Sequence, residues 1–357
     1  MFRRSCLVML YLCALGVALN VTSAQPGEKP VADKTTGPPL GEKGKWVEMD
    51  IKVAGRKAFV TALAVDRTNG DLYILPHYSA PHTKGSQGLW KSTDKGATFT
   101  RVDGGKVSGG GWNSFCIDMD PAGNRLAVFP MYGTGALTLD SGKTWRTIGD
   151  HFDYGSVDWS DKQAQTIMAT HHERKPGMRF TVDGGKEWKP LEYSYRDGLG
   201  VLEGQTLLYA NFNSLQRSTD GGKTWQKVYD KPVRSRAVRV FKDTAYFLTD
   251  TGLLVSKDKG ATWKGQGTAP PDANAWIGPY FGKFEDHILV VGPTGIFETD
   301  DAGTNWKLVA ALPDAYASKF GDRSRSWANG PNLGFDPQAN IIYIGLANFP
   351  AYRFERP

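Results

Sequence analysis

Cysteine is almost missing from this chain: Cys6, Cys13 and Cys116 are the whole set in 357 residues. The first two fall in an apolar run, Cys6 to Leu19, that follows Arg3 and Arg4 and ends in the small residues Thr22 and Ala24. That order reads as a cleavable secretory signal, residues 1–24, cut after Ala24. The run is shorter than the ~20 apolar residues a membrane span needs, so no stable membrane insertion is expected once the signal is removed. Residues beyond it keep only Cys116, which excludes an internal disulfide and leaves packing to hold the fold. Cys116 lies in the alternating stretch NSFCIDMD and reads as a small buried core residue.

Other absences narrow the class. No Asn-x-Ser/Thr sequon follows residue 24, which with the scarce cysteine favours a bacterial periplasmic or secreted location. Residues 25–44 hold four prolines, four glycines and almost nothing apolar, the composition of a flexible spacer. The net charge of +6 is spread without long basic runs, and removing Arg3 and Arg4 leaves less of it. Nucleic acid is therefore not an expected partner. An anionic partner is mildly favoured, and the chain is expected to be a monomer.

What is present is a repeat. The pattern Ser/Thr-x-Asp-x-Gly-x-x-Trp/Phe occurs six times, with its aspartates at Asp94, Asp140, Asp183, Asp220, Asp258 and Asp301. Their mean spacing of about 41 residues suits a four-stranded propeller blade. The Asp side chain can accept from turn N–H groups, and Gly supplies the positive φ of a tight hairpin. Strand-like runs flank each turn, as in Phe59–Val65, DLYIL, GLWKST and TFTRV around the first. After the sixth repeat, runs at Pro331–Phe335, Ile341–Leu346 and Tyr352–Glu355 make a seventh blade lacking its outer strand. Trp46–Ile51 is expected to supply it. The reading is an all-β, seven-bladed β-propeller over residues 45–357, with the Asp turns between third and fourth strands and an N-terminal strand closing the ring.

The six boxes resemble the Asp-box, or bacterial neuraminidase repeat, superfamily, which includes sialidases, some endoglucanases, sortilin-type receptors and propellers that assist photosystem II assembly. The resemblance spans about Lys45 to Pro357. It implies the fold and, for the six aspartates, a structural role; a fold alone does not fix a function. Sialidases of this superfamily carry a Phe/Tyr-Arg-Ile-Pro segment before the first box. Here GRKAFVTALAVD stands in that place, which argues against sialidase activity.

The repeat also sorts loops. With strands A to D running from centre to rim, A–B and C–D turns share one face, and B–C and D–A connections share the other. Five of the six histidines fall on the second face, among them His77, His82, His171 and His172. Tyr132, Tyr195, Arg174, Arg196, Arg236 and Arg325 join them. Rings stack on sugars and guanidinium groups clasp carboxylates, so a glycan or anionic ligand is one expected partner. The segment His171-His172-Glu173-Arg174, with Tyr195, is the candidate acid/base group of a glycoside hydrolase or polysaccharide lyase. A solvated polar loop accounts for the same residues. Neighbouring histidines on an extended segment point to opposite sides, which argues against a shared metal, and no cofactor is expected. Trp112, Trp276 and Trp327 precede inner strands and either form a stacking platform or plug the centre. The alternative function is non-catalytic: a protein-binding or membrane-complex assembly propeller.

Overall fold

The computed structural model describes residues 44–77, 88–110, 114–191, 198–211, 213–271, 276–317 and 331–356. Seven four-stranded antiparallel sheets are arranged as blades. Their innermost strands are Phe59–Val65, Ile117–Met119, Phe152–Val157, Gly198–Leu202, Arg239–Phe241, Ile277–Phe281 and Asn332–Asp336. Within blades 1 to 6 the strands follow in chain order from centre to rim. Helix is confined, among the described residues, to one turn at Ser114–Cys116 and one at Asp314–Ala317.

The apolar residues do not form a single core. They divide into seven walls, one between each pair of adjacent blades. The second strands show why. In Ile341–Gly345, Ile342 and Ile344 pack towards blade 6, while Ile341 and Tyr343 pack towards blade 1. A strand buried on both faces cannot alternate apolar with polar. That is why ILVV, TLLYA and IIYIG read as continuous apolar runs.

The seventh blade is shared between the two ends of the described chain. Strand Lys45–Glu48 pairs antiparallel with Tyr352–Glu355, Lys45 opposite Glu355 and Trp46 opposite Phe354. It ends three residues earlier than the sequence pattern suggests. Met49 and Ile51 turn out of the ladder into the wall between blades 7 and 1, with the Met49 N–H donating to the Ala351 carbonyl at 2.9 Å. A two-stranded hairpin, Lys52–Val53 with Arg56–Lys57, follows before the first inner strand.

Each Asp box lies in the turn between third and fourth strands. In the first, the Ser92 hydroxyl donates to Asp94 Oδ1 at 2.7 Å and accepts the Gly96 N–H at 2.8 Å, while the Thr98 N–H reaches Asp94 Oδ1 at 2.9 Å. Gly96 sits at φ +82°. These bonds hold the six carboxyls below the ordinary range, Asp94, Asp258 and Asp301 at about 2. The box tryptophan often reaches the preceding blade: Trp145 Nε1 donates to the Val102 carbonyl at 2.6 Å and Trp188 Nε1 to the Ile148 carbonyl at 2.7 Å. Trp46, on the closing strand, makes the equivalent bond to the Ala311 carbonyl at 2.7 Å. The aspartates are thus turn supports, as the resemblance implies.

Candidate functional site

The segment carrying the two histidines ends the second strand of blade 3, Ile167–His171. Strand alternation separates them. His171 is buried, 2% exposed, with its ring edge-on to Phe152 at 4.6 Å and Trp188 at 5.0 Å. Burial pushes its pKa down to about 3, with Arg179 and Arg174 adding to the effect, so the ring is neutral near pH 7. His172 faces the other way. Its Nδ1 lies 2.8 Å from Asp153 Oδ1 and its Nε2 lies 2.8 Å from the Tyr132 hydroxyl. With the Nδ1 proton directed at the carboxylate, Nε2 accepts from the phenol. Glu173 Oε1 stands 3.5 Å from the same hydroxyl.

Three connections position this cluster: residues 129–133 of blade 2, His151 between blades 2 and 3, and residues 172–177 of blade 3. Tyr132, His151 and Glu173 all hold left-handed backbone, at φ +55°, +56° and +56°. Non-glycine residues pay for that conformation, and it persists where surrounding contacts impose it. Here the His172 N–H donates to the His151 carbonyl at 2.5 Å and the His151 N–H to the Gly133 carbonyl at 3.0 Å. Arg174 pairs with Asp150 at 2.7 Å. Arg236 places its guanidinium 5.3 Å above the Tyr154 ring. Tyr132 itself is 57% exposed, one of two large apolar side chains so exposed among the described residues.

Partial desolvation by its neighbours, then the Glu173 charge, raises the Tyr132 phenol above its ordinary value. Burial raises the Asp153 carboxyl, against the opposing pull of His172. The cluster displays a fixed aromatic ring whose polar end is already satisfied.

Of the other residues singled out by sequence, His77 ends a strand of blade 1 on the same face and is exposed. Trp276 is 4% exposed and lies edge-on to Trp306 at 6.1 Å in the wall between blades 5 and 6. Cys116 is buried, its thiol 3.3 Å from the Asp153 carbonyl. His82, Trp112, Tyr195, Arg196, Arg325 and Trp327 lie outside the described residues. Among the described residues no three His, Cys, Asp or Glu side chains are grouped to hold a metal ion.

A narrow channel of about 120 Å³ runs between the inner strands. Asp118 lies in its wall, accepting from the Val157 N–H at 2.8 Å and Trp159 Nε1 at 3.2 Å, with Arg239 at 3.9 Å. Burial raises its carboxyl to about 6. The channel opens on the A–B turn side, the face of the Asp boxes, into a cavity of about 710 Å³. Sequence reasoning directed attention to the opposite face. The residues lining this mouth come from short turns in separate blades, and nothing in their local sequence marks them.

Seven blades, six of them built on Asp-box turns, carry a fixed polar and aromatic cluster on the face opposite the boxes. The chain is a seven-bladed β-propeller with six Asp-box turns, and the family model described as BNR/Asp-box repeat matches residues 216–227. A curated relative, the Dispase autolysis-inducing protein of Streptomyces mobaraensis, is 29% identical over 151 residues, 38% of each chain. The match therefore spans well under half of that relative's length. Among solved structures, a chain of the Mitotic Checkpoint Complex is similar at 11% identity and TM-score 0.50, covering 97% of this chain and 99% of that one. YCF48 bound to D1 peptide gives 12% identity and TM-score 0.48 over 90% of this chain and 100% of that one. YCF48 from Cyanidioschyzon merolae gives 12% and 0.45 over 87% and 98%. In the described residues no helix is long and apolar enough to cross a membrane.

Proposed function

We propose that this chain is an exported, non-catalytic propeller that binds a protein partner on its B–C and D–A face, with Tyr132 as the anchor. The carrying observation is the Asp153–His172–Tyr132 chain of hydrogen bonds, 2.8 Å at each link, which fixes an exposed aromatic ring on strained backbone. A rigid, amphipathic ring loses little entropy on contact and is the residue type that dominates interface energetics. The partial relative supports the reading in one respect: its name describes an effect on a second protein. Glycan cleavage fits less well, because His171 is enclosed and both ring nitrogens of His172 are taken up by Asp153 and Tyr132.

The test is site-specific photocrosslinking with benzoylphenylalanine in place of Tyr132 in the secreting host, run beside a glycan array. One discrete protein adduct is expected, absent when the probe replaces Lys223 and reduced by His172→Ala. The array should stay blank. Array binding of a sugar that Tyr132→Ala abolishes would overturn the proposal in favour of a glycan ligand.

A further inference from the structure

The mouth of the channel on the Asp-box face holds cations that no carboxylate pairs with among the described residues. Arg67 leaves the A–B turn of blade 1 and crosses the opening. Its Nη2 donates to the Gly282 carbonyl of blade 6, and its guanidinium lies 4.6 Å above the Phe241 ring of blade 5. It lines both the channel and the cavity of about 710 Å³ outside it. Its Nε is buried without a hydrogen-bond partner among the described residues. Lys242 and Lys283, from the corresponding turns of blades 5 and 6, stand on the same rim, Lys242 with its ammonium 5.7 Å from the Phe241 ring.

The other charges in the cavity wall are largely spoken for. Arg125 is paired with Asp120 at 2.5 Å, and Lys259 with Glu203 at 2.9 Å. Asp158 accepts from the Ser160 N–H at 3.0 Å and from its hydroxyl. Asp243 sits beside Lys242 on the exposed rim. A desolvated charge without a counter-ion is costly, and native proteins normally pair it. Burial pulls the Arg67 pKa down to about 10. The ring face and the carbonyl hold the guanidinium in the wall of the cavity.

We propose that this mouth is a second binding site, taking a compact anion whose carboxylate or phosphate groups meet Arg67, Lys242 and Lys283. Guanidinium offers a carboxylate or phosphate two parallel donors, and the two ammonium groups add charge without fixing geometry. The low-dielectric channel behind Arg67 strengthens the attraction relative to open surface. The site lies on the face opposite Tyr132, so the two proposals stand or fall separately.

Isothermal titration of the full chain with inorganic pyrophosphate, with trigalacturonate and with neutral maltotriose, at low and high salt, tests it. Pyrophosphate and trigalacturonate separate a phosphate source from a carboxylate one. At least one anion is expected to bind with a dissociation constant below about 1 mM, weakening with salt, while maltotriose does not bind. Arg67→Met should weaken binding at least about tenfold. Lys242→Gln with Lys283→Gln, both exposed and harmless to folding, should weaken it similarly. The same double change at Lys143 and Lys223, on other turns of this face, should leave it unaltered. Absence of binding by both anions, or equal loss in the rim and control pairs, overturns the proposal.

Discussion

His171 and His172 are neighbours in sequence and opposites in environment. The ring nitrogens of His171 have no hydrogen-bond partners among the described residues, and its pKa is lowered to about 3, chiefly by burial. An unfolded chain takes a proton at this residue below about 6.5, whereas the folded one does not until about 3. Its contribution is therefore intact above pH 6.5 and drains away as pH falls towards 3, by up to about 1.4 kcal/mol per pH unit. His171→Leu should match or exceed the wild type in urea denaturation at pH 7, since two buried unpaired polar atoms are lost. It should also lose less stability than the wild type between pH 7 and pH 5. A variant with an unchanged acid slope would contradict the buried neutral ring. The opposite orientation of the two histidines was legible from strand alternation; which one faces the core was not. That depends on the register shift between Phe152 and Tyr154, where the inner strand pairs with this one, and irregular pairing leaves no mark in composition. Asp153, the partner that makes His172 part of a cluster, belongs to no motif that would mark it in the sequence.

The Asp box is where sequence and structure agree most closely, because all of its bonds are local. A hydroxyl, a carboxylate and a glycine within eight residues satisfy one another wherever they occur. The carboxylate is the conspicuous member, yet the hydroxyl is the buried one: Ser256 is 3% exposed, donates to Asp258 at 2.8 Å and accepts the Gly260 N–H at 2.9 Å. Ser256→Ala leaves that buried N–H without a partner and should cost about 1–3 kcal/mol, read as a shift in denaturation midpoint at unchanged slope. Elements whose register depends on distant partners were less legible. The closing strand reads as an alternating run to Ile51, because Met49 and Ile51 are apolar at the right spacing. They are apolar for another reason, as part of a wall between blades. The cationic mouth was illegible for the same cause: Arg67, Lys242 and Lys283 lie far apart along the chain and meet only when the ring closes.

At the scale of the whole molecule, stability is distributed around a circle of seven apolar walls, and each blade depends on both neighbours. Tryptophans reinforce this dependence by bonding to the preceding blade's backbone. Trp46 does so at the join, packing on Phe354 at 5.0 Å and Tyr352 at 6.3 Å. Trp46→Ala removes a half-buried ring and its hydrogen bond and should cost about 2–4 kcal/mol. Because the seventh blade anchors blades 6 and 1 alike, the loss should appear as faster hydrogen exchange in Asn332–Asp336 and Phe59–Val65 together. Protection that fell only at the closing strand would mean the join is peripheral. The pairing of Lys45 with Glu355 has a topological meaning too. A closed ring of blades retains no physical record of which blade the chain enters first. A short peptide joining residues 44 and 356, with new ends cut at the exposed Asp230–Lys231 connection, would leave every blade, wall and box in place. The order of synthesis would change while the folded object stayed the same.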